Sequence, residues 1–292
     1  MRTNDMRTMR AKVFQRTVAM VTEGYYITPN GKRIEFPDDA AMMQNTKFYS
    51  EPITVENLPS REIPTVVRVE NIDCLYAAKE LLDKKYNPAV LNMASRQNPG
   101  GGVHTGSAAQ EENLFRLSNL FKSMFRFASY ADSYGLEKSL HQYPLDRNFG
   151  GIYIPDAIVF RDSEQKGYAL LENYYSVSFI TVPGVNRPEL DAKGLIIPAL
   201  IEPVKNKIRT IFRIGLAHGH DSLVLGALGC GAFKNPPGHI AKLFHEVMNE
   251  EEFKNKYRLL YFAILEDHNS GCEHNPDGNL LPFYKEFIGD KD

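Results

Sequence analysis

The apolar positions along the chain change period several times, and those changes mark out its elements. Over residues 3–20, Met6, Met9, Val13, Phe14 and Met20 fall on a loose stripe of helical period, with Gly24 placed to end it. YYITPNGKRIEF follows, and its β-forming residues around Asn30-Gly31 predict a hairpin with a type I′ turn. DDAAMMQNTKFY predicts a short helix. After this opening section, strands and helices alternate. IPTVVRVE reads as a strand and DCLYAAKELLDKKY as a helix with Asp73 as N-cap. PAVLNMA is a strand, and SAAQEENLFRLSNLFKSMF is a helix with Leu114, Leu117, Phe121 and Met124 as its core stripe. GGIYIP and DAIVF read as two short strands, and YSVSFITVP as a stronger one. A long helix over ALIEPVKNKIRTIFRIGLAHG, the strand SLVLGAL, the helix PGHIAKLFHEVMNEE and the strand YRLLYFAIL complete the pattern.

Strands alternating with helices of this length predict an α/β domain, a sheet covered by helices on both faces. Continuous apolar strands such as LVLGAL suit burial on both sides. The expected organisation is a mainly helical extension over residues 1–55, packed on a single domain over residues 56–292.

Two loops leave strand ends, carry glycine and run into helices: NMASRQNPGGGVHTG after AVLNMA, and GCGAFKNPPG after SLVLGAL. Open α/β sheets bind ligands outside the carboxyl ends of their strands. Free backbone N–H groups and the helix dipole favour an anion there. One such loop is ordinary turn chemistry; two in one domain suggest a ligand with a charged, extended middle such as a diphosphate. Neither loop is a P-loop or a G-x-G-x-x-G fingerprint, which disfavours a P-loop kinase or a dinucleotide dehydrogenase. Phe233, directly after GCGA, has a ring that can pack on a sugar or base.

Gln110, Glu111 and Glu112 have a plain structural explanation. Ser107 and Gln110 have the spacing of a capping box, and acidic residues in a first turn complement the helix dipole. Neighbouring helical residues point about 100° apart, so at most one glutamate faces a pocket squarely. The pair is not the two-carboxylate arrangement that spans a sugar. Any chemistry here falls mainly to one carboxylate.

Charge and cysteine content narrow the setting. A formal net charge of −2 argues against non-specific nucleic-acid binding. Three cysteines (Cys74, Cys230, Cys272) without a C-x-x-C pair suit reduced thiols and a cytoplasmic protein. No apolar run approaches the roughly 20 residues of a membrane span. In EDHNSGCEH, the spacing of His268, Cys272 and His274 fits no zinc pattern well, and His218 and His220 read as a helix C-terminus. Neither a metal nor a cofactor is expected.

GGG followed after a short spacer by QEE resembles the signature of poly(ADP-ribose) glycohydrolases, and the length and order of the chain resemble their bacterial-type branch. GCGAF is similar to the diphosphate loop of macro domains, VENIDCLYAA to the start of their adenine pocket, and VLNMASRQNPGGG to their first substrate loop. The resemblance implies a macro-domain-like mixed sheet sandwiched between helices, with the N-terminal helical extension. It implies hydrolysis of ribose–ribose O-glycosidic bonds in poly(ADP-ribose), from chain ends, by a monomer that needs no membrane and no sequence-specific nucleic acid. The polymer's attachment to protein is left open.

On this resemblance Glu112 is the catalytic residue, and Glu111 positions the ribose hydroxyls. Gly100, Gly101 and Gly102, with Gly229, Cys230, Gly231 and Ala232, supply the diphosphate cradle, and Phe233 packs on the terminal ribose. Asn92, Asn98 and Gln110 join the substrate-binding residues. Asp73 belongs near the adenine, although its capping role already explains it. Hydrolysis of mono-ADP-ribosyl groups from protein or nucleic acid and non-catalytic ADP-ribose binding stand as alternatives.

Overall fold

A computed structural model gives the structure of residues 3–55, 62–266 and 270–289. In chain order the elements are α1 (Thr3–Glu23), β1 (Tyr25–Ile27), β2 (Arg33–Glu35), α2 (Ala40–Asn45), β3 (Lys47–Tyr49), β4 (Val66–Glu70), α3 (Cys74–Asp83) and β5 (Pro88–Met93). Then come α4 (Gln110–Leu117), α5 (Phe121–Met124), β6 (Gly151–Arg161), β7 (Leu170–Val182), α6 (Pro198–Ala217), β8 (Ser222–Leu225), α7 (Pro237–Met248), β9 (Leu259–Ala263) and α8 (Leu280–Phe287). β1 and β2 form a hairpin, and the other strands form a seven-stranded mixed sheet flanked by helices, in the order β3-β6-β7-β5-β8-β9-β4. The expected α/β class is the observed one. None of the helices among the described residues is long and apolar enough to cross a membrane.

The chain divides into two compact units, the first made of Met1–Phe48, Ala94–Leu145 and Tyr153–Phe179, the second of the remainder. In the first unit, α1 buries Phe14, Thr17 and Val21, one helical face. Of the stripe expected from the sequence Phe14 is buried, while Met6, Met9, Val13 and Met20 are half-buried, and the buried seam takes in the polar Thr17 instead. Thr17 Oγ1 donates to the carbonyl of Arg116 at 2.6 Å and accepts from Arg161 Nε at 3.0 Å. Around this seam Phe14 packs edge-on against Phe121 and Phe125 and tilted against Phe115, at 6.0–6.5 Å between ring centroids. Such pairs add about 0.5–1.5 kcal/mol each beyond area burial.

In the second unit, β5, β8 and β9 are buried at almost every position and pair in parallel, with β4 parallel at the edge beside β9. Two-sided burial is why these segments are continuously apolar. α3 packs on β5, β8 and β9, and α8 on β4. Asp73 caps α3 as expected, its carboxylate accepting from Leu75 N–H at 2.8 Å.

Five local expectations are corrected. The hairpin turn is not type I′: Gly31 N–H bonds the Thr28 carbonyl, and Gly31, at φ 81°, takes the left-handed position behind Pro29-Asn30. Proline fixes φ near −65° and suits the second position of an ordinary turn. The helix expected over residues 107–125 breaks at Ser118, which is extended and bridges Val159. Asn119 completes that bridge, exchanging backbone and side-chain bonds with Ile158. The helix N-cap is Ala109, which has no side chain able to cap, so Ser107 and Gln110 form no capping box. GGIYIP and DAIVF are one strand, β6, in which Pro155-Asp156 makes an irregularity with Asp156 at φ 47°. KFY, the end of the segment read as a short helix, is strand β3, because the helix stops at Asn45; α8 was not read from the sequence, its helical signal interrupted by Pro282.

Gly106 fixes how closely the chain after the glycine run approaches α1. It stands at φ 75°, and a Cβ there would lie 1.9 Å from the Arg7 carbonyl oxygen. Gly135, at φ 65°, has open space around it. Gly135→Ala is expected to cost about 1–2 kcal/mol from backbone strain alone, and Gly106→Ala about 3 kcal/mol or more because backbone must also move. Chemical denaturation of the two variants measures the difference.

Candidate active site

In the first unit, the chain after Met93 runs through a glycine loop and a single 3₁₀ turn, Val103–Thr105, into α4. Gly100 and Gly101 take positive φ, at 74° and 51°. The loop folds over the first turn of the helix, and the two glutamates reach back into it. Glu111 is 3% exposed; its Oε2 accepts from Ser95 N–H at 2.7 Å and its Oε1 from Gly100 N–H at 3.0 Å. Glu112 is 7% exposed, with Oε1 accepting from Gly102 N–H at 2.8 Å. A Cβ on Gly101 would lie 2.6 Å from Glu112 Oε1 and 3.1 Å from Glu111 Oε2. The middle glycine is therefore required by the carboxylates packed against it.

The Gly101 amide donates to the Asn98 carbonyl at 3.1 Å. All three amides of Gly100, Gly101 and Gly102, which the resemblance assigns to a diphosphate, are thus engaged inside the loop. Those of Gly100 and Gly102 hold the Glu111 and Glu112 carboxylates, and that of Gly101 closes a turn on Asn98. Asn98 is exposed at the loop's outer edge, and Gln110 is half-buried at the start of α4.

The two carboxylates are not equivalent. Both oxygens of Glu111 hold loop amides, whereas Glu112 Oε2 is buried with no hydrogen-bond partner. One turn along the same helix, Arg116 is 0% exposed, with Nη2 on Asn113 Oδ1 at 2.9 Å and with Nε and Nη1 unpartnered. Burial lowers the Arg116 guanidinium from its ordinary range, while Tyr168 and Glu112 oppose the shift. Arg116 therefore places a buried cation on the helix that carries both glutamates, within reach of Glu112's charge. Its sequence signal was a charge in the middle of an apolar stripe, LFRL. Beside Glu111, burial first and then the glutamate's own charge hold the Tyr143 hydroxyl well above its ordinary range.

The second unit carries the other expected residues. Asn92 is fully buried at the end of β5, with Nδ2 on Thr181 Oγ1 at 3.1 Å and Oδ1 unpartnered. In the loop after β8, Asn235 gathers the backbone inward: its Nδ2 bonds the carbonyls of Val185 (2.6 Å) and Gly229 (2.9 Å) and reaches that of Phe233. Arg187 N–H also holds the Phe233 carbonyl, at 2.7 Å. Gly229 sits at φ 74°, and Gly184 is pressed so close that its Cβ would lie 3.0 Å from the Gly229 Cα. With these carbonyls drawn in, no described residue accepts from the N–H groups of Gly231, Ala232 and Phe233. That is an anion-binding arrangement of backbone amides. Cys230 is fully buried, and burial pushes its thiol far up, out of the nucleophilic range. Phe233 is half-buried, and Asp73 caps α3 away from this loop in sequence.

Among the described residues no group of three or more His, Cys, Asp and Glu side chains is placed to hold a metal ion. His268 lies outside the described residues. His218 closes α6 and its Nε2 is 2.9 Å from the Tyr49 hydroxyl, while His220 Nδ1 is 3.1 Å from the Asn87 carbonyl.

Residues 14–162 match the family described as microbial-type PARG, catalytic domain. The crystal structure of poly(ADP-ribose) glycohydrolase (PARG) from Thermomonospora curvata is similar with a TM-score of 0.77 at 28% identity, covering 96% of this chain and 100% of that one. The form of that enzyme bound to the inhibitor ADP-HPD gives 0.76 at 27% identity, with the same coverage. PARG from Deinococcus radiodurans in complex with ADP-ribose gives 0.67 at 28% identity, covering 87% of this chain and 99% of that one. No curated protein sequence gives a match. A glycine loop that binds two glutamates at the head of α4, inside a chain that matches these enzymes from end to end of their structures, places the protein in the microbial-type poly(ADP-ribose) glycohydrolase family.

Proposed function

We propose that the protein hydrolyses the ribose–ribose O-glycosidic bonds of poly(ADP-ribose) from chain ends, releasing ADP-ribose, with Glu112 as the catalytic residue. The observation that carries this assignment is the asymmetry of its carboxylate. Oε1 is anchored by the Gly102 amide at 2.8 Å, while Oε2, buried and without a partner, is the atom left to exchange a proton. In the first step Glu112 gives a proton to the departing ribose 2′-oxygen as the bond to the anomeric carbon breaks and an oxocarbenium-like centre develops. In the second, the carboxylate takes a proton from the water whose oxygen bonds that carbon, which restores the acid. One group serves both steps, so no second carboxylate across the sugar is needed.

Glu111 acts chiefly as a positioning residue, tying Ser95 and Gly100 to α4 and so setting the loop that grips Glu112. The diphosphate is assigned to the open amides of Gly231, Ala232 and Phe233, with the Phe233 ring packing on the terminal ribose. The unpartnered Asn92 Oδ1 is an acceptor suited to a ribose hydroxyl. The substrate is ADP-ribose polymer, and proteins that carry it are the natural partners.

Glu112→Gln is expected to lower ADP-ribose release from labelled polymer by about a thousandfold or more, while ADP-ribose binding measured calorimetrically stays within about threefold of the parent. Polymer cleavage at the parent's rate would remove Glu112 from the mechanism. Activity on mono-linked ADP-ribose with none on polymer would overturn the polymer assignment. Gly101→Ala, which drives a methyl into the Glu112 carboxylate, is expected to reduce kcat about a hundredfold, since misplacement of about 1 Å costs that much. Steady-state kinetics on the polymer measures it.

A further inference from the structure

Beyond β9, residues 270–280, part of a stretch singled out in the sequence for its histidines and cysteine, are organised by side-chain amides and a carboxylate. Asn275, 2% exposed, accepts from Cys272 N–H at 2.9 Å through Oδ1 and donates to Asn279 Oδ1 at 2.8 Å through Nδ2. Glu266 Oε1 accepts the amides of Asn279 and Leu280 at the start of α8. Gly278 stands at φ 76°, and a Cβ there would lie 2.6 Å from Glu266 Oε2. The buried side chains of Asn275 and Asn279, with the half-buried Glu266, thus make a hydrogen-bonded frame from an otherwise irregular loop. The frame presents one side chain to the loop after β8: His274, whose Nε2 lies 2.8 Å from the Cys230 carbonyl oxygen. A carbonyl only accepts, so the ring donates from Nε2.

We infer that His274 is a positioning residue for the diphosphate loop, holding the Cys230 carbonyl so that the Gly231 amide on the same peptide faces the ligand. This rests on the assignment of Gly231, Ala232 and Phe233 to the diphosphate. In a trans peptide the C=O of one residue and the N–H of the next point in opposite directions. Fixing the Cys230 oxygen therefore fixes the direction of the Gly231 N–H, the first of the three open amides. The carbonyls of Gly229, Gly231 and Phe233 are held by Asn235, Lys234 and Arg187, and that of Cys230 is held from the C-terminal segment. Its bond to His274 also polarises the peptide, making Gly231 a stronger donor. Without it, a glycine-flanked peptide is free to turn over.

The test compares the parent protein with His274→Ala and His274→Gln, the latter keeping a side-chain N–H donor. ADP-ribose affinity by calorimetry is expected to fall about tenfold in His274→Ala, the scale of one charge-assisted hydrogen bond, and to return to within about threefold of the parent in His274→Gln. In the ligand-free proteins the Gly231 amide resonance is expected to move in His274→Ala and return toward its parent position in His274→Gln. Parent-like affinity in His274→Ala overturns the inference. So does an affinity loss with the Gly231 resonance unmoved, since the loss would then not act through that peptide. A parent protein that fails to bind ADP-ribose overturns the proposed function instead, and the Gly231 resonance still decides whether His274 sets that peptide.

Discussion

Burying the Glu111 and Glu112 side chains takes two carboxyl groups out of water, a cost of several kcal/mol for each that is ionised unless other groups replace the hydration. Backbone amides from Ser95, Gly100 and Gly102 do this directly, and each such charge-assisted bond is worth about 1.5–3 kcal/mol. The arrangement demands that the loop backbone come within hydrogen-bonding distance of side chains on the first turn of α4. Only a residue without a Cβ fits at position 101, and the left-handed conformations at 100 and 101 favour glycine again. The glycine run is thus the geometric consequence of two buried carboxylates, and the loop and the helix are one device.

What lies beneath that device explains why it is rigid. α4 is held to α1 through the Arg116 carbonyl and Thr17, and Thr17 in turn holds Arg161, whose Nη1 donates to the Tyr168 carbonyl at 3.0 Å. The Tyr168 hydroxyl bonds Asn113 Oδ1 at 3.0 Å, and so does Arg116. Burial lowers both guanidinia from their ordinary range, Arg161 to about 10. A seam with two buried cations and a phenylalanine cluster around it leaves α4 little freedom, and catalysis benefits from carboxylates that need not move when the substrate arrives. The long N-terminal helix takes part in this support through Phe14 and Thr17.

The two glycine loops look alike in sequence and work in opposite senses. In the first, the amides turn inward onto the protein's own carboxylates. In the second, carbonyls turn inward onto Asn235, Arg187, Lys234 and His274, and amides are left facing out. One loop orients an acid and the other is free to bind an anion. Glycine serves both because it lets the peptide plane adopt either direction; neighbouring side chains choose which.

The apolar period, the two strand-to-helix glycine junctions and the GGG…QEE and GCGAF segments were enough to establish an α/β domain, its family resemblance and the helix that carries Glu111 and Glu112. Those features are local: a strand or helix writes its burial into its own residues, and a glycine run marks where the backbone must turn or approach closely. The break at Ser118 was not local, because the helix yields to a bridge with Val159 that lies far along the chain. The capping box failed for a related reason: the first turn of α4 is organised by the glycine loop rather than by Ser107. Which glutamate keeps a free oxygen, what Arg116 balances, and which amides remain open after Asn235 and His274 have taken their carbonyls depend on atoms brought together from distant segments. Hydrogen-bond direction is a property of the folded backbone, so only the tertiary structure decided it.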